Sequence, residues 1–143
     1  MRMEQTYEKA RQEIHFPSKI ENLALVEKLI DKVCEELKVN EDNYGNILIA
    51  LTEAVNNAIL HGNKQDSTKS IHLKCENQEK NLLFVVEDEG EGFDFDNLPD
   101  PTDPVNIEKP NGRGVFLMRN LADEVNFSNN GKRVELKFKL FAN

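Results

Sequence analysis

Hydrophobic and polar residues change their spacing along the chain, and each change marks an element. Ile14 and Phe16 alternate with Glu13 and His15, which predicts a short edge strand ended by Pro17. Ser18 and Glu21 have the form of a capping box, so a helix is predicted to begin there. Leu23, Val26, Ile30, Val33 and Leu37 then recur at helical spacing and give that helix one apolar face. Asn40 is placed to cap a second helix reaching about His61, with Gly62 where a left-handed C-terminal cap belongs. Ile71, Leu73 and Cys75 alternate as in a half-buried strand. Residues 82–86 are a continuous apolar run, the pattern of a strand covered on both faces. Residues 89–111 are acidic and hold four of the five prolines, so they predict a long loop. A short helix over 115–121 follows, then a strand from Val125, a hairpin turn at Asn129-Asn130-Gly131, and a last strand through Val134, Leu136, Phe138 and Leu140. Strands mixed with helices predict an α+β fold: a two-layer sandwich whose mixed sheet is covered on one face by helices.

Composition narrows the function classes. The 143 residues suffice for one domain, taken as 1–143, with no repeat and no linker. The net charge of −8 argues against a nucleic-acid surface, which needs clustered Lys and Arg, and it permits a basic protein partner. The two cysteines, Cys34 and Cys75, form no CxxC, which disfavours disulfide scaffolds and zinc sites and fits a reducing compartment. The first eleven residues are polar, and no apolar run approaches the ~18 residues of a membrane span. The expectation is a soluble cytoplasmic protein without membrane contact.

The second helix is unusual. Ile47, Leu51, Ala54, Val55 and Ala58 share one face, and other apolar residues surround it, so little of the helix is meant for water. Yet Glu53, Asn57 and His61 recur every four residues beside that face. No Lys or Arg occurs between Asn43 and Asn63, so the carboxylate has no local partner. One reading leaves Glu53 in solvent or paired with a distant cation. The other lines a cleft with it: an Asn oxygen suits a hard cation such as Mg²⁺, and a Glu one turn away suits proton abstraction from a hydroxyl. His61 is expected to pack at the helix end.

Two glycine-bearing stretches complete the candidate chemistry. Asp88 ends the apolar strand and is followed by Gly90 and Gly92. Glycine lets backbone approach a ligand, and a strand-end carboxylate can accept a hydrogen bond from an exocyclic amine. An acidic surface turn and a calcium loop are the rival readings, and the spacing does not match an EF-hand. Gly112-Arg113-Gly114 precedes the short helix, whose N-terminus offers free N–H groups to an anion. A simple glycine turn is the alternative there. The proline-rich loop before it, about 94–112, has the length of a lid.

In order and separation, "EAVNNAILHG", "DEGEGFD" and "NGRGVFLM" resemble the GHKL ATP-binding superfamily, the histidine-kinase-like ATPases. Within it they resemble the small anti-sigma-factor serine/threonine kinases, over residues 10–141. The resemblance implies ATP and Mg²⁺ bound between the helix layer and the lid. It implies Glu53 as catalytic base, Asn57 as the Mg²⁺ ligand and Asp88 as the adenine-reading carboxylate, with Gly90 and Gly92 shaping that pocket. Gly112 and Gly114 would free the lid and hold phosphates, with Lys109 and Arg113 as candidates for γ-phosphate contact. The implied activity is an anti-sigma factor that phosphorylates a STAS-type antagonist protein on a hydroxyl. The alternative is a non-catalytic, nucleotide-sensing module that sequesters a partner. A homodimer or partner contact through the first helix is left open by its mixed second face. Two departures stand out. The family often has Gly-Thr near its last strand where this chain has Gly131-Lys132-Arg133, and Pro110-Asn111 precede the lid glycines.

Overall fold

The computed structural model describes residues 11–91 and 112–140. Five strands form one sheet: β1 (Arg11–Pro17), β2 (Ser70–Gln78), β3 (Asn81–Glu87), β4 (Glu124–Ser128) and β5 (Arg133–Lys139). Their order is β1-β2-β3-β5-β4, with β1 at one edge as its short alternating pattern predicts. Three α-helices, α1 (Leu23–Glu36), α2 (Glu41–Asn57) and α3 (Gly112–Leu121), supply the other layer. The two-layer α+β arrangement matches the sequence expectation in all but one respect. All four strand pairings are antiparallel, so the sheet is not mixed among the described residues.

Alternation explains which face is covered. Ile71, Leu73 and Cys75 of β2, Leu82, Phe84 and Val86 of β3, and Val134, Leu136 and Phe138 of β5 are all buried. They meet Val26, Ile30 and Val33 of α1 and Ile47, Leu51 and Val55 of α2 in one core. Phe84 and Phe138 meet edge-to-face at 6.0 Å, a favoured aromatic geometry. The opposite face is charged. Arg133 bonds Glu135 at 2.9 Å and lies 3.6 Å from Glu87, and Lys137 lies 3.2 Å from Glu124. Exposed pairs of this kind add little stability, but their aliphatic stems cover surface. Among the described residues, therefore, no second helix layer covers the outward side of the run at 82–86. Val85 is the buried residue of its outward side, flanked in register by Lys74 and Glu135.

Local signals resolve in two ways. Asn40 caps α2 as expected, its Oδ1 accepting from the Asn43 N–H at 2.8 Å. The Asn129-Asn130-Gly131 turn takes positive φ at all three residues and joins β4 to β5, which the Asn-Asn-Gly composition favours. The capping box does not form. A 3₁₀ turn over Ile20–Asn22 precedes α1, its cap is Lys19, and Ser18 is buried with its Oγ donating to the Lys69 carbonyl at 2.7 Å. Gly62 is not a left-handed cap either. It lies in a π-helical turn, Ala58–Gly62, that prolongs α2, and the positive φ comes later, at Lys64 and Gln65. The third helix begins at Gly112 rather than 115, which puts both glycines inside its first turn.

Candidate functional site

Three distant segments meet where the end of α2 passes the C-terminal end of β3. They line a narrow, partly open crevice. Ala54 and Ala58 of α2, Val86, Val134, Met118 of α3 and Phe127 of β4 make it largely apolar. Four polar side chains interrupt that lining: Asn57, His61, Asp88 and Lys132. A narrow apolar slot with a few convergent polar groups is the usual form of a small-molecule site, suited to a flat ring.

Asp88 is held from its own loop. The Gly90 N–H donates to its Oδ1 at 2.8 Å, and its own N–H donates to the Lys132 carbonyl at 2.9 Å. Burial pushes its pKa above the ordinary carboxylate value, while the Gly90 N–H, Lys132 and Lys69 oppose that shift. Close approach explains two glycines here. A Cβ on Gly62 would overlap the Asp88 carboxylate, with Oδ1 at 2.9 Å. A Cβ on Gly90 would stand 3.1 Å from the Gly62 Cα and overlap the Gly62 carbonyl. The end of α2 and the β3 loop thus interlock backbone to backbone.

Asn63 fastens this junction. It is only 1% exposed. Its Nδ2 donates to Ser18 Oγ at 2.7 Å and to the Ser70 carbonyl at 3.0 Å, and its Oδ1 accepts the Glu89 N–H at 2.8 Å. The Glu89 carboxylate in turn accepts the Ser70 N–H at 2.8 Å. One amide therefore ties the start of α1's lead-in, the start of β2 and the residue after Asp88.

Asn57 lines the same crevice from the last position of α2, six residues before Asn63. Its Nδ2 is buried without a hydrogen-bond partner, and its Oδ1 accepts none among the described residues. A Cβ on Gly114 would lie 2.7 Å from that Nδ2 and 3.1 Å from Oδ1. The first turn of α3, with its unsatisfied N–H groups, therefore stands directly against Asn57. An unpartnered carboxamide beneath a helix N-terminus fits a site that takes an anion with a hard cation.

The expected residues divide as follows. Asn57 and Asp88 share one crevice, with Gly90 and Gly114 at close-packed positions around it. Gly112 opens α3, and Arg113 is exposed in its first turn. Glu53 is half-buried one turn before Asn57, outside the crevice wall, and makes no hydrogen bond or ion pair among the described residues. Gly92, Lys109 and most of the expected lid lie outside the described residues. His61 does not simply pack at a helix end; it lines the crevice, and burial lowers its pKa. Arg133 points to the charged face and pairs with Glu87 and Glu135, so within the first departure only Lys132 concerns the site, and the second, Pro110-Asn111, lies outside the described residues. Sequence reasoning missed Asn63, Met118 and Phe127, and it noted Lys132 only as a departure.

Comparison with known proteins places the chain among its relatives. The model of the histidine kinase-like ATPase domain matches residues 16–138. The serine-protein kinase RsbW of Bacillus subtilis (strain 168) is 28% identical over 123 residues, covering 82% of this chain and 77% of the relative. The serine-protein kinase RsbW of Bacillus cereus (strain AH820) is 30% identical over 119 residues, covering 79% of this chain and 74% of the relative. The crystal structure of the RsbU and RsbW domains of Rv1364c from Mycobacterium tuberculosis superposes with a TM-score of 0.67 at 18% identity. It shares the fold over 91% of this chain, which spans only 32% of that longer protein. With a family model across most of its length and relatives of up to 30% identity, the chain belongs to the histidine kinase-like ATPase domain family, beside the RsbW serine-protein kinases.

Proposed function

We propose that this chain is a Mg²⁺- and ATP-dependent serine/threonine protein kinase. In this reading it acts as an anti-sigma factor whose substrate is a STAS-type antagonist protein, with residues 1–143 as one domain. The observation that carries the reading is the convergence of Asn57 and Asp88 on one crevice beneath the first turn of α3. Asp88 accepts the exocyclic amine of adenine, whose faces rest on Ala58, Val86 and Met118. Gly90, with Gly92, would shape that pocket, and Asn57 would hold the Mg²⁺ through its amide oxygen. The metal supplies charge neutralisation for the phosphates. The α3 N-terminus, with Gly112 and Gly114 leaving its backbone bare, would hold the phosphates, and Arg113 and Lys109 are the candidates for contact with the outermost one.

Glu53 takes the proton from the attacking hydroxyl of the substrate protein. Its half-burial and lack of any partner among the described residues leave both carboxylate oxygens available. Its place one turn from Asn57 puts it beside the phosphates rather than the ring. Phosphoryl transfer asks mainly for positioning and charge stabilisation, which a domain of this size can provide.

A second reading is a nucleotide-sensing module that holds a partner without transferring phosphate. Its support is the position of Glu53 outside the crevice wall and the lysine in place of a hydroxyl at 132. The test is incubation with γ-labelled Mg-ATP and a STAS-domain protein encoded nearby. Label on the partner that Glu53→Ala abolishes while ATP binding persists supports the kinase. Tight ATP binding without transfer to any such partner supports the switch.

A further inference from the structure

The crevice has one cationic side chain among its described lining residues, and it sits at the ring end. Lys132 precedes β5, and its carbonyl accepts the Asp88 N–H at 2.9 Å. That bond fixes the two residues side by side in adjacent chain segments, and both side chains line the crevice. The two make no direct ion pair, so the ammonium is not consumed by the carboxylate. The backbone of Lys132 is anchored twice, since its N–H also donates to the Asn129 carbonyl at 3.1 Å. Arg133 next to it is turned to the other face and held by Glu87 and Glu135. Lys69 also acts on Asp88 from the start of β2, but it does not line the crevice.

The chemistry of the pair is directional. A carboxylate only accepts hydrogen bonds, and an ammonium only donates them. Side by side they match a ring edge that offers an amine next to an unprotonated ring nitrogen. Adenine has that edge in its N6 amine and N1. Lys132 is tied through its carbonyl to Asp88, the carboxylate assigned to the ring, rather than to Asn57 or the α3 N-terminus.

We propose that Lys132 is a specificity-determining residue that donates to N1 of adenine, while Asp88 accepts from the adjacent N6 amine. This inference rests on the nucleotide reading above. At this position the chain offers a charged donor. A buried charge-assisted bond is stronger than a neutral one, and its loss leaves the ring nitrogen unpaired in an apolar slot. The charge of Lys132 also works against the upward shift that burial imposes on the Asp88 carboxyl.

The test is equilibrium binding of Mg-ATP and Mg-1-deaza-ATP, which has carbon in place of N1, to the wild-type chain, Lys132→Met and Lys132→Arg. The wild type should bind the deaza analogue roughly 10-fold more weakly than ATP, the size of one charge-assisted hydrogen bond. Lys132→Met should weaken ATP by a similar factor and bind the two nucleotides equally. Lys132→Arg, which keeps a donor, should restore part of the preference for ATP. Equal wild-type affinity for the two nucleotides, or a preference unchanged in Lys132→Met, overturns the role of Lys132 and leaves the nucleotide site standing. Absence of ATP binding by the wild type overturns both. Far-UV circular dichroism of each variant separates loss of contact from loss of fold.

Discussion

Asn63→Ala is the perturbation with the most calculable consequence. The side chain makes three hydrogen bonds, to Ser18, Ser70 and Glu89, at 2.7, 3.0 and 2.8 Å, in a site 1% exposed. Each bond is worth about 1 kcal/mol net, and a donor left unsatisfied costs a further 1–3 kcal/mol. Ser18 keeps its own donor engaged with the Lys69 carbonyl, so its loss is partial. The Glu89 N–H loses its acceptor, the Asn63 Oδ1. A loss of about 3 kcal/mol follows, or a fall in Tm of roughly 10 °C for a chain of this length. Urea titration followed by circular dichroism should show a lower midpoint with an unchanged slope. Asn63→Asp keeps the shape but turns acceptors toward the Ser70 carbonyl, so it should be no more stable than the alanine variant. Exposed Asn126→Ala is the control and should change stability by less than about 0.5 kcal/mol. A loss below about 1 kcal/mol in Asn63→Ala would refute the view that this amide fastens the junction. Because Glu89 follows Asp88 directly, ATP affinity should fall in the same variant.

Other outcomes follow from the same geometry. Asp88→Asn should stabilise the nucleotide-free protein at neutral pH while weakening ATP binding. The folded-state pKa of Asp88 is raised, so its ionised form costs stability that returns as pH falls through that value. The stability gap between the two proteins should therefore close in acid, and a melting curve against pH checks it. ATP affinity of the wild type should likewise decline on acidification sooner than an ordinary carboxylate would dictate. Gly114→Ala should displace Asn57 or the start of α3, because the added methyl meets the carboxamide at 2.7 Å. Calorimetry should show Mg-ATP binding reduced about 10-fold or more with the fold retained, the scale of one lost charge-assisted contact.

Local chemistry made much of this fold legible. Helical spacing marked the buried faces of α1 and α2, alternation marked β2 and β5, and Asn40 and the Asn-Asn-Gly turn act through neighbours only a few residues away. Where the partner was remote, local rules misled. Ser18 looks like a helix cap, yet its partner Lys69 is 51 residues on. Gly62 looks like a left-handed terminator, yet what it needs is room for the Asp88 carboxylate. Gly114 looks like part of a turn before a helix, yet it lies within α3 because Asn57 leaves no space for a side chain. The same limit hid Asn63 and Lys132, since neither residue type announces the tertiary contact that gives it a role. Asn57 and Asp88 were legible because each breaks its local pattern, a carboxamide on a mostly apolar helix and a carboxylate at the end of an apolar strand. The thiols are a case where composition alone was enough. Cys34 and Cys75 are both buried and unpaired, and burial raises them to about 11 and about 12, as befits packing residues.

The most direct measurement is a two-dimensional amide NMR spectrum of the labelled chain with and without Mg-ATP. The account predicts that the largest shifts fall on Gly62, on residues 88–90, on the first turn of α3 and on Lys132, with the charged face of the sheet unmoved. Shifts confined to that charged face, or a spectrum unchanged at millimolar nucleotide, would contradict it.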